Sequence, residues 1–420
     1  MADADRPAAA APPYDSRRQV RVLTALAAVL NLHPHIAIWV LYLTEFRDIS
    51  LAQVGIMEGI FWGFTLALEI PSGAFADRFG RRLGFTVGIT IEAIGVFIFA
   101  LAGDFSLLMV SYVLWGSGIA FRSGNDGAFL YDALATDGRT EEYADRFGVI
   151  HAAMRFATSG GAIAGGAIAG ATDLQIAVFA GFATYLVSAP ALLLMREPPR
   201  TSTAGVSSYV GTLATAWQLF KRRPALRYIV LLEIALMASV PIQFLLFQPF
   251  LREHGVSLFL VGVLVVPIEL SGAAGALLSG RISRRYGMRG IGVIAIVGVM
   301  IGLLLLAAID HVLILGAFAL PQISRGVFFP AVGAYINDRA TSDIRATVLS
   351  VGPFGNALIF ALVAPLAGVA GDSSLRLAFG VTALLILATC GPLYLLWLRA
   401  DRQPPPVEDP GQASAQREGP

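Results

Sequence analysis

The chain has 420 residues, 56% hydrophobic and 14% charged, with a mean hydropathy of +0.70; soluble domains carry about 25% charged residues, so composition excludes an ordinary water-soluble domain. A formal net charge of +1 gives no overall attraction for nucleic acid or another polyanion, and the 30 basic residues inform only through their positions. The single cysteine, Cys390, lies in an apolar run, which excludes an internal disulfide and a multi-cysteine metal site.

Residues 1–20 read as a cytoplasmic tail whose first sixteen are polar and Ala/Pro-rich, without the apolar core and cleavage site of a signal peptide, so the first hydrophobic segment is expected to insert the chain itself. A bilayer core takes roughly 20 apolar residues per helix, and twelve such runs follow. They centre on 28–41, 56–68, 87–100, 108–119, 152–169 and 176–194, then on 229–247, 260–277, 291–307, 312–332, 348–369 and 377–397. The expected architecture is an all-α polytopic membrane protein with one six-helix half over 21–195 and another over 227–400. A polar cytoplasmic linker, 196–226, opens with "EPPRTSTAG", and a composition-biased, disordered cytoplasmic tail covers 401–420.

Alternate loops differ in charge. One set carries Arg17, Arg18 and Arg21, then Arg78, Arg81 and Arg82, and four similar groups before Arg399 and Arg402, whereas the other carries only Arg47, Arg252 and Arg376. Retention of basic residues on the inner side places both termini in the cytoplasm. The halves also echo each other: "GAFADRFGRR" from Gly73 and "GRISRRYGMR" from Gly280 are offset by 207, each after the second span of its half, and Asp132 and Asp338 nearly keep that register. Duplicated units of this kind build transporters around a site between repeats.

"GAFADRFGRR" resembles the signature of the major facilitator superfamily, matching it at Gly73, Asp77, Arg78, Gly80, Arg81 and Arg82. The resemblance covers nearly the whole chain and implies alternating access, with this loop latching the cytoplasmic side against the end of the fourth span. Asp132 in "LYDAL" is the expected partner of Arg78 or Arg81. In the second copy Arg284 stands where Asp77 would be, implying a degenerate latch. Gly161, Gly165, Gly166 and Gly170 on span five, and Gly272, Ala276 and Gly280 on span eight, are small-residue faces suited to sliding, static packing or dimerisation. The fifth-span run also faintly resembles the glycine/proline motif of drug antiporters, without its proline.

An ionisable side chain at membrane depth is a functional candidate. Arg122 and Asp126, four apart on span four, are expected on one helical face with Asn125 beside them and Arg155 of span five at similar depth. Asp126 reads as an ion-pair element first and a proton carrier second. Glu58 and Glu233 lack a basic neighbour at helical spacing and are the leading proton-coupling candidates. Glu269 is a further one, and a possible partner for Arg325; Glu92 has no assigned role. His33 and His35 bracket Pro34 on span one, suiting either a proton shuttle or a satisfied kink. Trp39 and Phe328 are aromatic candidates for the substrate cavity.

The leading expectation is a proton-driven secondary transporter in a bacterial inner membrane, exporting a small amphipathic or drug-like compound and acting as a monomer. No cofactor or metal is expected; lipid and the small-molecule substrate are the partners. The alternative is a symporter or uniporter for a sugar, nucleoside or organic anion, which Arg122, Arg155 and Arg325 would suit. A membrane enzyme or receptor is disfavoured by the lack of hydrolase, zinc-protease or phosphate-loop motifs.

Overall fold

A computed structural model describes residues 14–199, 220–339 and 342–402; most of the expected tails and of the linker lie outside them, while residues 16–20, expected in the first tail, already belong to a helix. The first half consists of α1 (Ser16–Leu30), α2 (Leu51–Phe79), α3 (Arg81–Leu101), α4 (Phe105–Arg122), α5 (Asn125–Ala135), α6 (Tyr143–Ala171) and α7 (Leu174–Leu194). The second consists of α8 (Pro224–Met237), α9 (Ser239–Glu253), α10 (Leu258–Ala308), α11 (Ala319–Arg339), α12 (Ser342–Ser373) and α13 (Leu375–Asp401). Ten helical stretches are long and apolar enough to cross a membrane. One of them, Leu258–Ala308, is two helices joined at Gly287, and α6 falls outside the ten because glycines and Arg155 dilute its hydropathy. With both counted, the described residues supply twelve helical segments of membrane-crossing length.

The duplication is visible in hydrogen bonds. Ser72 Oγ donates to the Ala120 carbonyl (2.8 Å) and Ser279 Oγ to that of Val327 (2.7 Å), ties between corresponding helices of the two halves with both partners shifted by 207. Ser50 and Ser257, again 207 apart, accept from backbone N–H groups at the starts of α2 and α10. Each supplies an acceptor to a helix end that otherwise lacks one.

The first crossing is broken. Pro34 has no N–H to continue the helical ladder, α1 stops at Leu30, and a tight turn over Pro34–Ala37 leads to short helical segments ending at Phe46. The carbonyls of Leu32 and Pro34 lie directly against Gly161 and Gly165 of α6, where a Cβ has no room. Thus two of the four span-five glycines accommodate the broken helix.

The other two meet the second half. Gly166 packs on the Leu258 carbonyl and Gly262, and Gly170 on Phe259. On the far side of the bundle, Gly55 and Gly59 of α2 fit against Ala361, Ala364 and Pro365 of α12, while Gly368 fits against Leu51 and Ala52. The Asp372 carboxylate accepts from the N–H groups of Leu51 (2.7 Å) and Ala52 (3.0 Å), capping α2 from the opposite half. Gln248 bridges Val40 N–H and the Ile36 carbonyl at 3.0 Å each, Arg252 pairs with Glu45 at 3.0 Å, and Trp39 packs on Phe244 with ring centres 5.3 Å apart. All of these contacts lie toward the arginine-poor ends of the helices. Of the alternatives for the span-eight face, static packing fits Gly272 and Ala276, which lie against Gln322 and Gly326 of α11, while the contact with α6 falls at Gly262.

Toward the arginine-rich end the halves part. Of the buried residues of α6, only Ile150 precedes Gly161, and Phe156 is 79% exposed. Among the described residues, the inter-half contacts therefore seal the arginine-poor end and leave a cleft open toward the other. Gly368→Val, whose Cβ would fall on the Leu51 carbonyl, should force this seam apart and cut transport sharply; transport at the wild-type rate would count against the seam.

Candidate functional site

Arg155 of α6 and Glu269 of α10 meet across the cleft, Nη1 to Oε2 at 2.7 Å. Each lies seven residues, roughly 10 Å of helix, from the Ala162–Gly262 contact that seals the seam. Their side chains are 77% and 38% exposed, so water screens the pair and its net contribution is about 0–1 kcal/mol.

A deeper charge cluster lies inside the first half. Glu92 of α3 is fully buried, accepting from Arg122 Nε at 2.8 Å and from Tyr185 OH at 3.2 Å. Arg122 is the last residue of α4; Gly124 takes a left-handed φ of 73° and Asn125 begins α5. The common helical face expected for Arg122 and Asp126 is interrupted by this break, and the partner of Arg122 is Glu92, to which the sequence assigned no role. Asp126 lies within electrostatic reach of Arg122 and of His151; Arg155 is engaged by Glu269 instead. Asn125 is buried, donates to the Phe121 carbonyl at 2.8 Å and packs against Gly84, which fixes the break to α3.

His33 and His35 stand 5.6 Å apart, and His35 packs against Trp115 and Gly181 with neither ring nitrogen hydrogen-bonded. Trp39 belongs to the sealed seam. Glu58 is 6% exposed, beside Trp62 and Tyr112, whose Nε1 and OH stop short of hydrogen-bond geometry. Glu233 is half-buried next to Gly352 of α12. Neither carboxylate has an ion-pair partner among the described residues.

Arg325 is buried at 5% exposure and donates to three neutral oxygens: Ser239 Oγ (2.8 Å), Gln243 Oε1 (3.0 Å) and Gln322 Oε1 (2.8 Å). The pairing expected with Glu269 is not made, because Arg155 holds that carboxylate. Phe328, expected at the cavity, is completely buried in the core of its own half.

At the arginine-rich end, Arg81 binds both Asp132 (3.2 Å) and Asp77 (3.3 Å), while Arg78 stacks over Phe79. The residue missed from sequence is Glu197, whose two carboxylate oxygens accept from the N–H groups of Arg81 and Arg82 at 2.7 Å each, an anionic cap on the start of α3. Gly80, with φ of 109°, passes beneath that carboxylate, whereas Gly73 faces open space instead of a neighbouring helix. The readable signal was an acid directly after the sixth span. The second half places an acid at the end of its sixth span: Asp401 accepts from Tyr335 OH (2.7 Å) and pairs with Arg339 (3.2 Å) and Arg289 (3.5 Å). Nearby in the first half, Arg17, Arg21, Arg139 and Arg146 surround Glu142 in a pocket of about 630 Å³. Hydrogen bonds from Arg139 and then Arg146 hold the Glu142 carboxyl down to about 2.

The Major Facilitator Superfamily model matches residues 22–323. The quinolone resistance protein NorA of Staphylococcus aureus (strain Mu50 / ATCC 700699) is 24% identical over 178 residues, 41% of this chain and 45% of that protein. An uncharacterized MFS-type transporter of Bacillus subtilis (strain 168), YxaM, is 26% identical over 88 residues, 21% of this chain and 22% of that protein. The chain thus matches less than half the length of these curated relatives. Among solved structures, the nucleoside transporter NupG superposes with a TM-score of 0.76 at 15% identity, covering 93% of this chain and 100% of that one. A bacterial homolog of the human lysosomal transporter Spinster, inward-facing and unoccupied, gives 0.74 at 18% identity over 94% and 100%. At these identities the likeness is one of fold.

Removing one partner of a buried ion pair strands the other charge and costs about 3–5 kcal/mol. Glu92→Gln should therefore lower the thermal unfolding midpoint of the purified protein clearly, while Glu269→Gln should leave it nearly unchanged. Equal midpoints for the two variants would contradict the assigned difference in burial. For the Glu142 clamp, a depressed pKa means that its stabilisation is complete above the ordinary carboxylate range and is lost as pH falls toward 2; Glu142→Gln should narrow the gap to wild type only in that acid window, read by unfolding midpoints across pH.

Proposed function

Because the chain belongs to the major facilitator superfamily, and is thus a membrane transporter rather than an enzyme, we propose that it is a secondary active transporter that exports a small amphipathic compound in exchange for protons. The observation that carries this reading is the cleft, sealed at the arginine-poor end by contacts between the halves and open toward the arginine-rich end, with Arg155 and Glu269 facing each other inside it. With the arginine-rich loops retained in the cytoplasm of a bacterial cell, both termini are cytoplasmic and this conformation faces inward. The transmembrane proton gradient, rather than a cofactor, supplies the energy, and a monomer contains the complete cleft.

Glu58 and Glu233 support proton coupling: each is a carboxylate at membrane depth without a fixed cation, a placement in which protonation relieves the cost of burying charge. The aromatic surroundings of Glu58 suit an amphipathic substrate, and the partial likeness to a quinolone resistance protein supports export. In the outward-facing state the arginine-rich ends would close. Gly73, exposed to open space here, is then the surface onto which the opposite half can settle, with Asp77, Arg81, Asp132 and Glu197 keeping the loop in shape. The second reading, uptake of an organic anion or nucleoside, is favoured by the buried cation Arg325.

Two measurements test this. In liposomes loaded with a pH-sensitive dye, lipophilic cations should release protons from acidified vesicles, and Glu58→Gln or Glu233→Gln should abolish the exchange; coupled exchange intact in both variants would remove them as coupling sites. Gly73→Leu, by obstructing closure, should cut transport about tenfold or more, equivalent to roughly 1.4 kcal/mol or more, without lowering the unfolding midpoint, whereas an unchanged rate would eliminate Gly73 as a closure surface.

A further inference from the structure

Three arginines lie at membrane depth, and their surroundings differ. Arg122 is neutralised by Glu92 and Arg155 by Glu269. Arg325, the most deeply buried of the three, has no carboxylate within ion-pair distance among the described residues. An unneutralised charge in this setting is expensive and is retained where function needs it.

Its environment is built for holding a cation in place. The backbone turns between α8 and α9 at Ala238, bringing Ser239 and, one turn on, Gln243 toward α11. Gln322 approaches from Arg325's own helix, one turn earlier. Close packing of α11 on α10 through Gly272, Gly275 and Gly326 brings the guanidinium up behind the cleft-facing side of α10. Three N–H groups are used by neutral oxygens, which leaves two of the five guanidinium donors, on Nε and Nη1, for another acceptor. The amide Nε2 of Gln243, itself 6% exposed, is buried without a hydrogen-bond partner in the same cluster. The polar groups left over are all donors, next to a positive charge.

Glu269 lies one turn before Gly272, which packs on Gln322 and Gly326 of the helix that carries Arg325, and in this conformation its carboxylate is held by Arg155 of the opposite half. We propose that Arg325 and the Gln243 amide form a subsite for a carboxylate group on the transported compound, and that Glu269 is the internal competitor for it, kept away by Arg155. This rests on the transporter reading and extends its substrate range: besides lipophilic cations, the cleft takes amphipathic molecules bearing a carboxylate, whose anionic end enters the second half. The Arg155–Glu269 pair then serves as a guard on the subsite, since any change that frees Glu269 fills the place the substrate's carboxylate would take.

The test is binding of 2-naphthoate and of its neutral methyl ester to the full-length protein, measured by calorimetry. Naphthoate should bind the wild type more tightly than the ester. Arg325→Gln should weaken naphthoate about tenfold or more, the effect of losing one charge-assisted contact, and leave the ester unaffected; Arg325→Lys, with the charge restored, should recover part of the loss. Arg155→Gln should weaken naphthoate in the wild type but not in a Glu269→Gln background, because the competitor is then uncharged. Naphthoate bound no better than the ester, or equally well by Arg325→Gln, overturns the subsite. An Arg155→Gln effect that persists without Glu269 overturns the competition. Lipophilic-cation exchange in liposomes keeps the outcomes apart: if it proceeds while naphthoate is ignored, the subsite fails and the exporter stands, and if no compound moves protons in the wild type, the exporter reading fails by itself.

Discussion

Charge at membrane depth has to be matched, hydrated or used, and this constraint organises the interior of the molecule. The low-dielectric core of a helix bundle makes an isolated ion cost several kcal/mol, so each ionised side chain reveals its job by what it touches. Glu92 and Arg122 form a fixed pair, with Tyr185 occupying the second carboxylate oxygen, and they tie α3, α4 and α7 into one unit. Arg155 and Glu269 are matched too, but across the two halves and in water, where a pair can form and dissolve without threatening the fold. Among the described residues Glu58, Glu233 and Arg325 have no ion-pair partner, and these are the positions to which the proposed coupling and substrate binding are given.

The seam between the halves follows a second constraint, that helices approach only as closely as their side chains permit. The sealed end is a series of glycine and alanine contacts in which backbone meets backbone, a surface with little interdigitation to hold it. Polar ties add direction: Asp372 caps a helix of the other half, and Gln248 satisfies both backbone groups exposed by the broken first crossing. Two aromatic pairs cross the same seam, Trp39 on Phe244 and Trp62 on Phe360, and they add apolar area to the small-residue contacts.

The two halves solve the same structural problem with different residues. Each fixes the loop between its second and third crossings with an acid at or just after the end of its sixth, Glu197 in one and Asp401 in the other. The first half grips backbone N–H groups at a helix start, the second grips guanidinium groups. The second copy of the loop motif, which has Arg284 where an aspartate would stand, is thus held by a different contact rather than left loose.

Much was legible in the sequence because it depends on local composition. Hydropathy located the crossings, arginine placement separated the two ends, and the 207-residue echo located the duplication, since each follows from the solvent a segment must face. The break at Pro34 was readable from a missing donor, and the Arg81–Asp132 contact from a motif whose partners lie at helix ends. What the tertiary structure decided was pairing. Glu92 offers no signal in its own helix because its partner, Arg122, lies thirty residues away on another; the four-residue spacing of Arg122 and Asp126 implies a shared face only in a continuous helix, and Gly124 breaks it. Glu269 is paired not with Arg325 of its own half but with Arg155 of the opposite one. Helical spacing ranks neighbours along one element, whereas an ion chooses its partner in three dimensions by distance and desolvation, and that choice exists only once the helices are packed.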